Sequence, residues 1–235
     1  MASKQFQNQL CVYCGKEHSI PTGDHVFARQ FFLEEHRSHF PKVPACLDCN
    51  NAKAKDETYL TAVLPFGGRH SVARKNLTLM VPKRLAKNQR LKRELADGIT
   101  ISQAGIPTML PIEIQRVTRL FEMITRALLW HHWNVRLPDQ YAIECALLSS
   151  VGELLYEKLF EMNSNNFVDI SLGNGTFSYC GAQGAGDPNF SIWRYEIYGG
   201  LQLTGDPDFP EEVARYVGAI SGTHELLRDQ GLMSN

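Results

Sequence analysis

The chain has 235 residues, 43% of them hydrophobic, and a formal net charge of −1. That length suits one large domain or two small ones, and the apolar content supports a sizeable core. A low-complexity chain and a membrane span are excluded, because no apolar run approaches the roughly 20 residues that a membrane helix needs. The opening "MASKQFQNQL" has no apolar stretch of signal-peptide kind, so a cytoplasmic chain without a membrane partner is expected.

Residues 1–62 are expected to form one small module. Cys11, Cys14, Cys46 and Cys49 make two CxxC pairs separated by 31 residues, while Cys145 and Cys180 stand alone. In a reducing compartment such pairs read as metal ligands rather than disulfides. Each CxxC turn presents two sulfurs to one ion, and four thiolates make a closed tetrahedral zinc site with no position open for chemistry. Structural Zn²⁺ is therefore expected, holding residues 15–45 as a loop. His18 is a candidate extra ligand.

Residues 63–163 read as mainly helical. One helix is expected over Val81–Ala96, with Pro82 in its first turn and Gly98 as a stop. Ile114, Val117, Leu120/Phe121, Ile124 and Leu128 form a stripe at helical spacing. Leu147, Val151, Leu154/Leu155 and Leu159 form another. The two stripes are expected to pack on each other across the turn "NVRLPDQ". After that the period changes to two. Phe167, Ile170 and Leu172, then Gly173-Asn174-Gly175 and "TFSYC", predict a hairpin. Phe190 to Tyr198 predict one or two further antiparallel strands, and Pro210–Gln230 a closing helix. The fold class is α+β, with residues 63–235 a helical plus antiparallel β region of no assigned role.

Asp24-His25 lies inside the cysteine loop, and Asn50 directly follows the second pair in "CLDCNNAKAKDE". The pattern "C-x2-C … DHVFARQFF … VPACLDCNNAKAKDE" resembles the HNH family of nucleases over roughly residues 9–60. Two cysteine pairs, DH between them and CN-x2-K after them carry the resemblance. It implies a ββα-metal, treble-clef-like module supported by zinc. It also implies a metal-dependent endonuclease that hydrolyses phosphodiester bonds in DNA. By the same resemblance His25 is the general base, and Asp24 and Asn50 hold one divalent metal. A neutral imidazole suits the first role at cellular pH, and oxygen ligands suit Mg²⁺ or Mn²⁺. Lys53, three residues after Asn50, and Arg29 are expected to contact phosphates. Two features depart from the family: no Asn precedes the second cysteine pair to orient the base, and Ala28 stands where many relatives have Pro.

The neutral balance conceals a local asymmetry. Residues 69–93 carry nine Lys/Arg and no Asp/Glu, whereas residues 96–235 carry eight basic and seventeen acidic residues. Such a segment points to an anionic partner. Lys83, Arg84 and Lys87 on one helix are expected to track nucleic-acid phosphates. The product would be a nick, or a double-strand break from a homodimer, which the sequence leaves open. The alternative is a non-catalytic zinc-supported module that binds nucleic acid or regulates a partner on the same scaffold.

Overall fold

The computed structural model describes residues 4–17, 21–101, 107–109, 112–163, 166–202 and 213–229. His18, Pro210 and Gln230 lie outside them. After a short 3-10 turn at Lys4–Phe6, β1 (Pro21–His25) pairs antiparallel with β2 (Lys42–Cys46). α1 (Leu47–Gly67) leaves β2 with no linker, because Cys46 is its N-cap and the sulfur accepts the Cys49 N–H at 3.4 Å. Then come α2 (Ser71–Leu79), α3 (Val81–Lys87) and α4 (Gln89–Gly98). The single helix expected over Val81–Ala96 is thus two. Asn88 leaves helical geometry, and its side-chain oxygen caps the Leu91 N–H at 3.1 Å.

A short pairing of β3 (Thr100–Ile101) with β4 (Pro107–Met109) precedes α5 (Ile114–Trp133). The rest alternates between strands and helices: β5 (Tyr141–Leu147), α6 (Ser150–Met162), β6 (Phe167–Leu172), β7 (Phe177–Gln183) and β8 (Ser191–Ile197). β9 (Leu201–Gln202), β10 (Val213–Ala214), β11 (Val217–Thr223) and α7 (His224–Asp229) close the described chain. The C-terminal helix exists, but within the expected Pro210–Gln230 range Val217–Thr223 is strand. β5 and β11 belong to a five-stranded antiparallel sheet of order β5-β11-β8-β7-β6. The predicted hairpin is β6–β7, turned by Gly173, Asn174 and Gly175, all with positive φ.

One face of the sheet carries Phe177, Tyr179, Trp193, Tyr195 and Val217 in a single apolar cluster with Phe121, Ile124 and Leu128 of α5. Phe121 and Tyr195 lie 5.1 Å apart between ring centres, and the Thr125 and Tyr195 hydroxyls are 2.6 Å apart. Trp193 lies flat over Gly181, where an added Cβ would come within 2.3 Å of the indole. The same cluster includes Phe27, Phe31 and Leu60. Residue 62 lies inside α1, so the boundary expected after it does not fall at a break in the core. No described helix is long and apolar enough to cross a membrane.

The opposite face of the sheet packs Ile192 and Ile220 with Tyr156 of α6 and Leu227 of α7. The expected packing of this stripe on α5 does not occur: Leu147 belongs to β5, α6 packs on the other face of the sheet from α5, and of the stripe residues in α6 only Leu159 faces the sheet. Tyr156 is buried, with Leu159 and Phe160 beside it, while Val151 (75% exposed), Leu154 and Leu155 point outward. The helix is apolar on two sides, and the side bearing the aromatic residue is the one that reaches the sheet. Two substitutions check this orientation by thermal or denaturant unfolding. Tyr156→Ala should cost about 3 kcal/mol, the scale for truncating a buried aromatic. Leu154→Ala should change stability by no more than about 0.5 kcal/mol.

Candidate active site and metal clamp

Antiparallel pairing dictates which side chains meet. In β1, Thr22 and Asp24 share one face and Gly23 and His25 the other. Thr22 and Asp24 are buried on the side toward α1. Asn50 and Lys53 come from the same face of α1, one turn apart. Asn50 Nδ2 donates to Thr22 Oγ1 at 3.1 Å, and Thr22 Oγ1 donates to the Ala45 carbonyl at 3.0 Å. The structure therefore brings Asn50 next to β1, one strand step from Asp24.

Asp24 does not stand free. Its Oδ2 accepts the Tyr13 hydroxyl at 2.5 Å and the Lys53 ammonium at 3.0 Å. Burial, and then the adjoining Asp24 charge, push the Tyr13 phenol well above its ordinary range, so it remains a donor. Lys53 is 0% exposed, and its Nζ also donates to Glu57 Oε1 at 2.6 Å and to the His25 carbonyl at 2.7 Å. This corrects the expectation that Lys53 contacts a phosphate: the lysine is buried and its three protons already serve three acceptors. Burial pushes the Glu57 carboxyl above the usual range, and Lys53 draws it back down.

His25 ends β1, half-buried, opposite Lys42 of β2. Its ring makes no hydrogen bond with the described residues. Its imidazole is held below the ordinary histidine value, first by burial and then by the Lys42 charge, with Arg29 and Lys53 adding to the effect and Asp24 opposing it. The neutral form that a base needs is thereby favoured near neutral pH. Arg29 is exposed in the 3-10 turn Arg29–Phe31, and Lys42 is exposed on its strand. Neither pairs with a described carboxylate.

The residues after His25 hold the site to the core. Phe27 packs on Phe177 and Tyr179 at 4.7 and 5.4 Å, and the Phe31 carbonyl accepts the Tyr198 hydroxyl at 2.8 Å. Arg84 takes part in this anchoring. Its guanidinium donates to the Thr61 carbonyl at 2.7 Å, to the Gln30 carbonyl, and to Asn76 Oδ1 at 3.4 Å. Arg84 is thus a structural clamp and not part of a phosphate stripe. Lys83 and Lys87 remain exposed on α3, which Arg84 ties beside the Arg29–Phe31 turn.

The four expected metal cysteines converge. Their sulfurs lie within 4.8 Å of one another, with Cys14 and Cys46 sulfurs 3.9 Å apart. The first knuckle closes through Gly15 N–H donating to the Cys11 carbonyl at 2.8 Å, with Gly15 at φ +69°. The second is the cap of α1. Burial raises the Cys11 and Cys49 thiols; sulfur neighbours add to the effect, and backbone N–H bonds oppose it at Cys11. Four adjoining sulfurs cannot all ionise without a cation among them, and their number and chemistry fit zinc. Cys145 and Cys180 lie elsewhere, in the sheet.

Three residues of the site were not foreseen. Tyr13 sits inside the first CxxC, Glu57 lies four residues beyond Lys53, and Lys42 faces His25 only once the hairpin register is set. An aromatic residue inside the knuckle and the Lys-x3-Glu spacing were the available signals. No family model, curated protein or solved structure matches the chain.

Proposed function

We propose that this chain is a metal-dependent DNA endonuclease of the HNH type, with structural Zn²⁺ on Cys11, Cys14, Cys46 and Cys49. The observation that supports the reading is the placement of Asp24 and His25 at the end of β1, beside the helix that carries Asn50 and is capped by the cysteine cluster. Asp24 Oδ1 receives no hydrogen bond from the described residues, and Asn50 adds an amide oxygen. These hard donors fit Mg²⁺ or Mn²⁺. Bound there, such a cation would offset the charge on the phosphate and on the departing 3′ oxygen.

The chain's own groups supply the rest. A ring nitrogen of His25 takes a proton from water, whose oxygen attacks phosphorus as the bond to the 3′ oxygen breaks. Lys42 and Arg29 lie on the His25 side and offer cations to the phosphate oxygens. Asp24 and Asn50 approach from the α1 side. The test is incubation of purified chain with supercoiled plasmid and Mg²⁺ or Mn²⁺, against a chelator control. Conversion to nicked or linear DNA in the metal lanes alone supports the reading.

A second reading rests on one observation, the absence of a described hydrogen bond to the His25 ring. A binding module that has lost catalysis needs no oriented base. Wild-type chain that binds DNA yet stays inert with each metal would favour it.

The exposed cations of α3 are proposed to meet the backbone of the same DNA. Lys83→Ala with Lys87→Ala should weaken binding and reduce the slope of log affinity against log salt by about 2, with the melting temperature unchanged. Arg84→Ala should behave differently, lowering the melting temperature because the carbonyl of buried Thr61 loses its donor. An unchanged salt slope in the Lys83/Lys87 variant would leave α3 a solvated surface.

A further inference from the structure

A lysine with no exposed surface needs a reason. Burying an ammonium costs several kcal/mol unless every proton finds an acceptor, and an apolar residue of similar volume usually serves a core as well or better. Lys53 meets the condition fully, through Asp24 Oδ2 at 3.0 Å, Glu57 Oε1 at 2.6 Å and the His25 carbonyl at 2.7 Å. Two of those partners belong to adjacent residues to which the proposed reaction gives separate tasks.

The arrangement at Asp24 is asymmetric. Tyr13 and Lys53 both bind Oδ2, and no described residue binds Oδ1. Two donors on one oxygen fix the rotation of the carboxylate and leave the other oxygen unclaimed. Lys53 also pins the main chain of His25, whose ring has no described partner of its own. Glu57 balances the ammonium. With both carboxylates ionised, the group of Asp24, Glu57 and Lys53 carries one net negative charge, which still attracts a dication.

We infer that Lys53, assisted by Tyr13, is a positioning residue that presets the Asp24 carboxylate and the His25 backbone, at the expense of affinity for the divalent metal. The inference rests on the reading of Asp24 as a metal ligand. It also separates the two properties that a metal nuclease normally links, affinity for the cation and rate.

The test uses the full-length, zinc-loaded chain. Mn²⁺ binding is followed by electron paramagnetic resonance, cleavage on supercoiled plasmid, and integrity by zinc content and melting temperature. Lys53→Met removes the charge and keeps a long apolar stem. It should bind Mn²⁺ more tightly, on the order of tenfold, because a positive charge a few ångströms from the ion has gone. It should also cleave on the order of 100-fold more slowly, because the groups are no longer held in place. Tyr13→Phe leaves the knuckle cysteines and the charge balance intact. It should slow cleavage with zinc content unchanged, and it keeps the inference testable if Lys53→Met fails to fold.

Affinity and rate moving in opposite directions is what a merely structural lysine would not give. Affinity and rate falling together, in step with melting temperature, would overturn the positioning role. So would full-rate cleavage by Tyr13→Phe and Lys53→Met. A wild-type chain that neither binds Mn²⁺ nor cleaves would overturn the nuclease reading itself, and this inference with it.

Discussion

Replacing His25 by Ala should leave a folded, zinc-loaded chain that still binds DNA and cleaves it on the order of 100-fold or more slowly, the scale for loss of a general base. The fold should tolerate the change. The His25 ring is half-buried and makes no hydrogen bond with the described residues, and the group that holds this position is its carbonyl, which survives in Ala. The hairpin register, the four sulfurs and the Phe27 contacts are likewise untouched. Asn50→Ala should differ in kind. It removes a proposed metal ligand and the Asn50–Thr22 hydrogen bond, so part of its defect should yield to more Mg²⁺ or Mn²⁺. Added metal cannot restore a proton acceptor, so His25→Ala should not respond. Plasmid cleavage by the two variants across a metal titration checks the contrast. Full-rate cleavage by His25→Ala would remove His25 from the role of base.

Elemental analysis should find one zinc per chain, and Cys46→Ala should lose it together with the structure of the N-terminal region. The melting temperature should fall on the order of 10 °C or more, because in small metal modules binding free energy is folding free energy. Cys46 matters twice, as a ligand and as the cap of α1. Among the described residues the apolar cluster at the clamp has Cys11, Ala45 and Cys46 as its buried members, and the Val12 N–H bond to the Pro44 carbonyl at 3.0 Å joins the two knuckles beside it. Cleavage should vanish with the zinc. Tyr13 lies between Cys11 and Cys14, and its hydroxyl is one of two donors on Asp24, so a loosened knuckle releases the carboxylate. Well-folded protein with no bound metal would sink the structural-zinc reading.

What could be read from the sequence follows a physical division. The cysteine spacing was visible because four sulfurs that share one ion must meet at one point, whereas Asp24-His25 and Asn50 were singled out by resemblance alone. The Gly173-Asn174-Gly175 turn was visible because positive φ is rare outside such residues. β5 and β11 were not. "YAIECAL" and "VGAISGT" are short apolar runs, and periodicity alone does not separate a strand with both faces covered from a piece of helix. α6 was placed, but its orientation was not, because apolar residues lie on two of its sides. Arg84 and Lys53 were expected to contact phosphates, since charge counting ignores where the partners are. The Arg84 partner Gln30 is 54 positions away, and the Lys53 partner Asp24 lies across a hairpin. Tyr13 and Lys42 became legible only when the register set them beside Asp24 and His25.

The packing of Phe27 on Phe177 and Tyr179, with Tyr198 hydroxyl bonded to the Phe31 carbonyl, limits how the cysteine-clamped N-terminal segment could be inherited or reused. A hairpin and helix joined by four clustered cysteines looks like a portable cassette that recombination or a protein engineer could graft onto another body. Here the segment that follows the proposed base is socketed in a sheet built from the far end of the chain. A transplant carrying only the first sixty or so residues would expose Val26, Phe27, Phe31 and Phe32, all of which the sheet and helices bury here. Hosts that supply a matching aromatic socket are the ones in which such a graft would work, so variation should arise by altering loops on this body rather than by exchanging it.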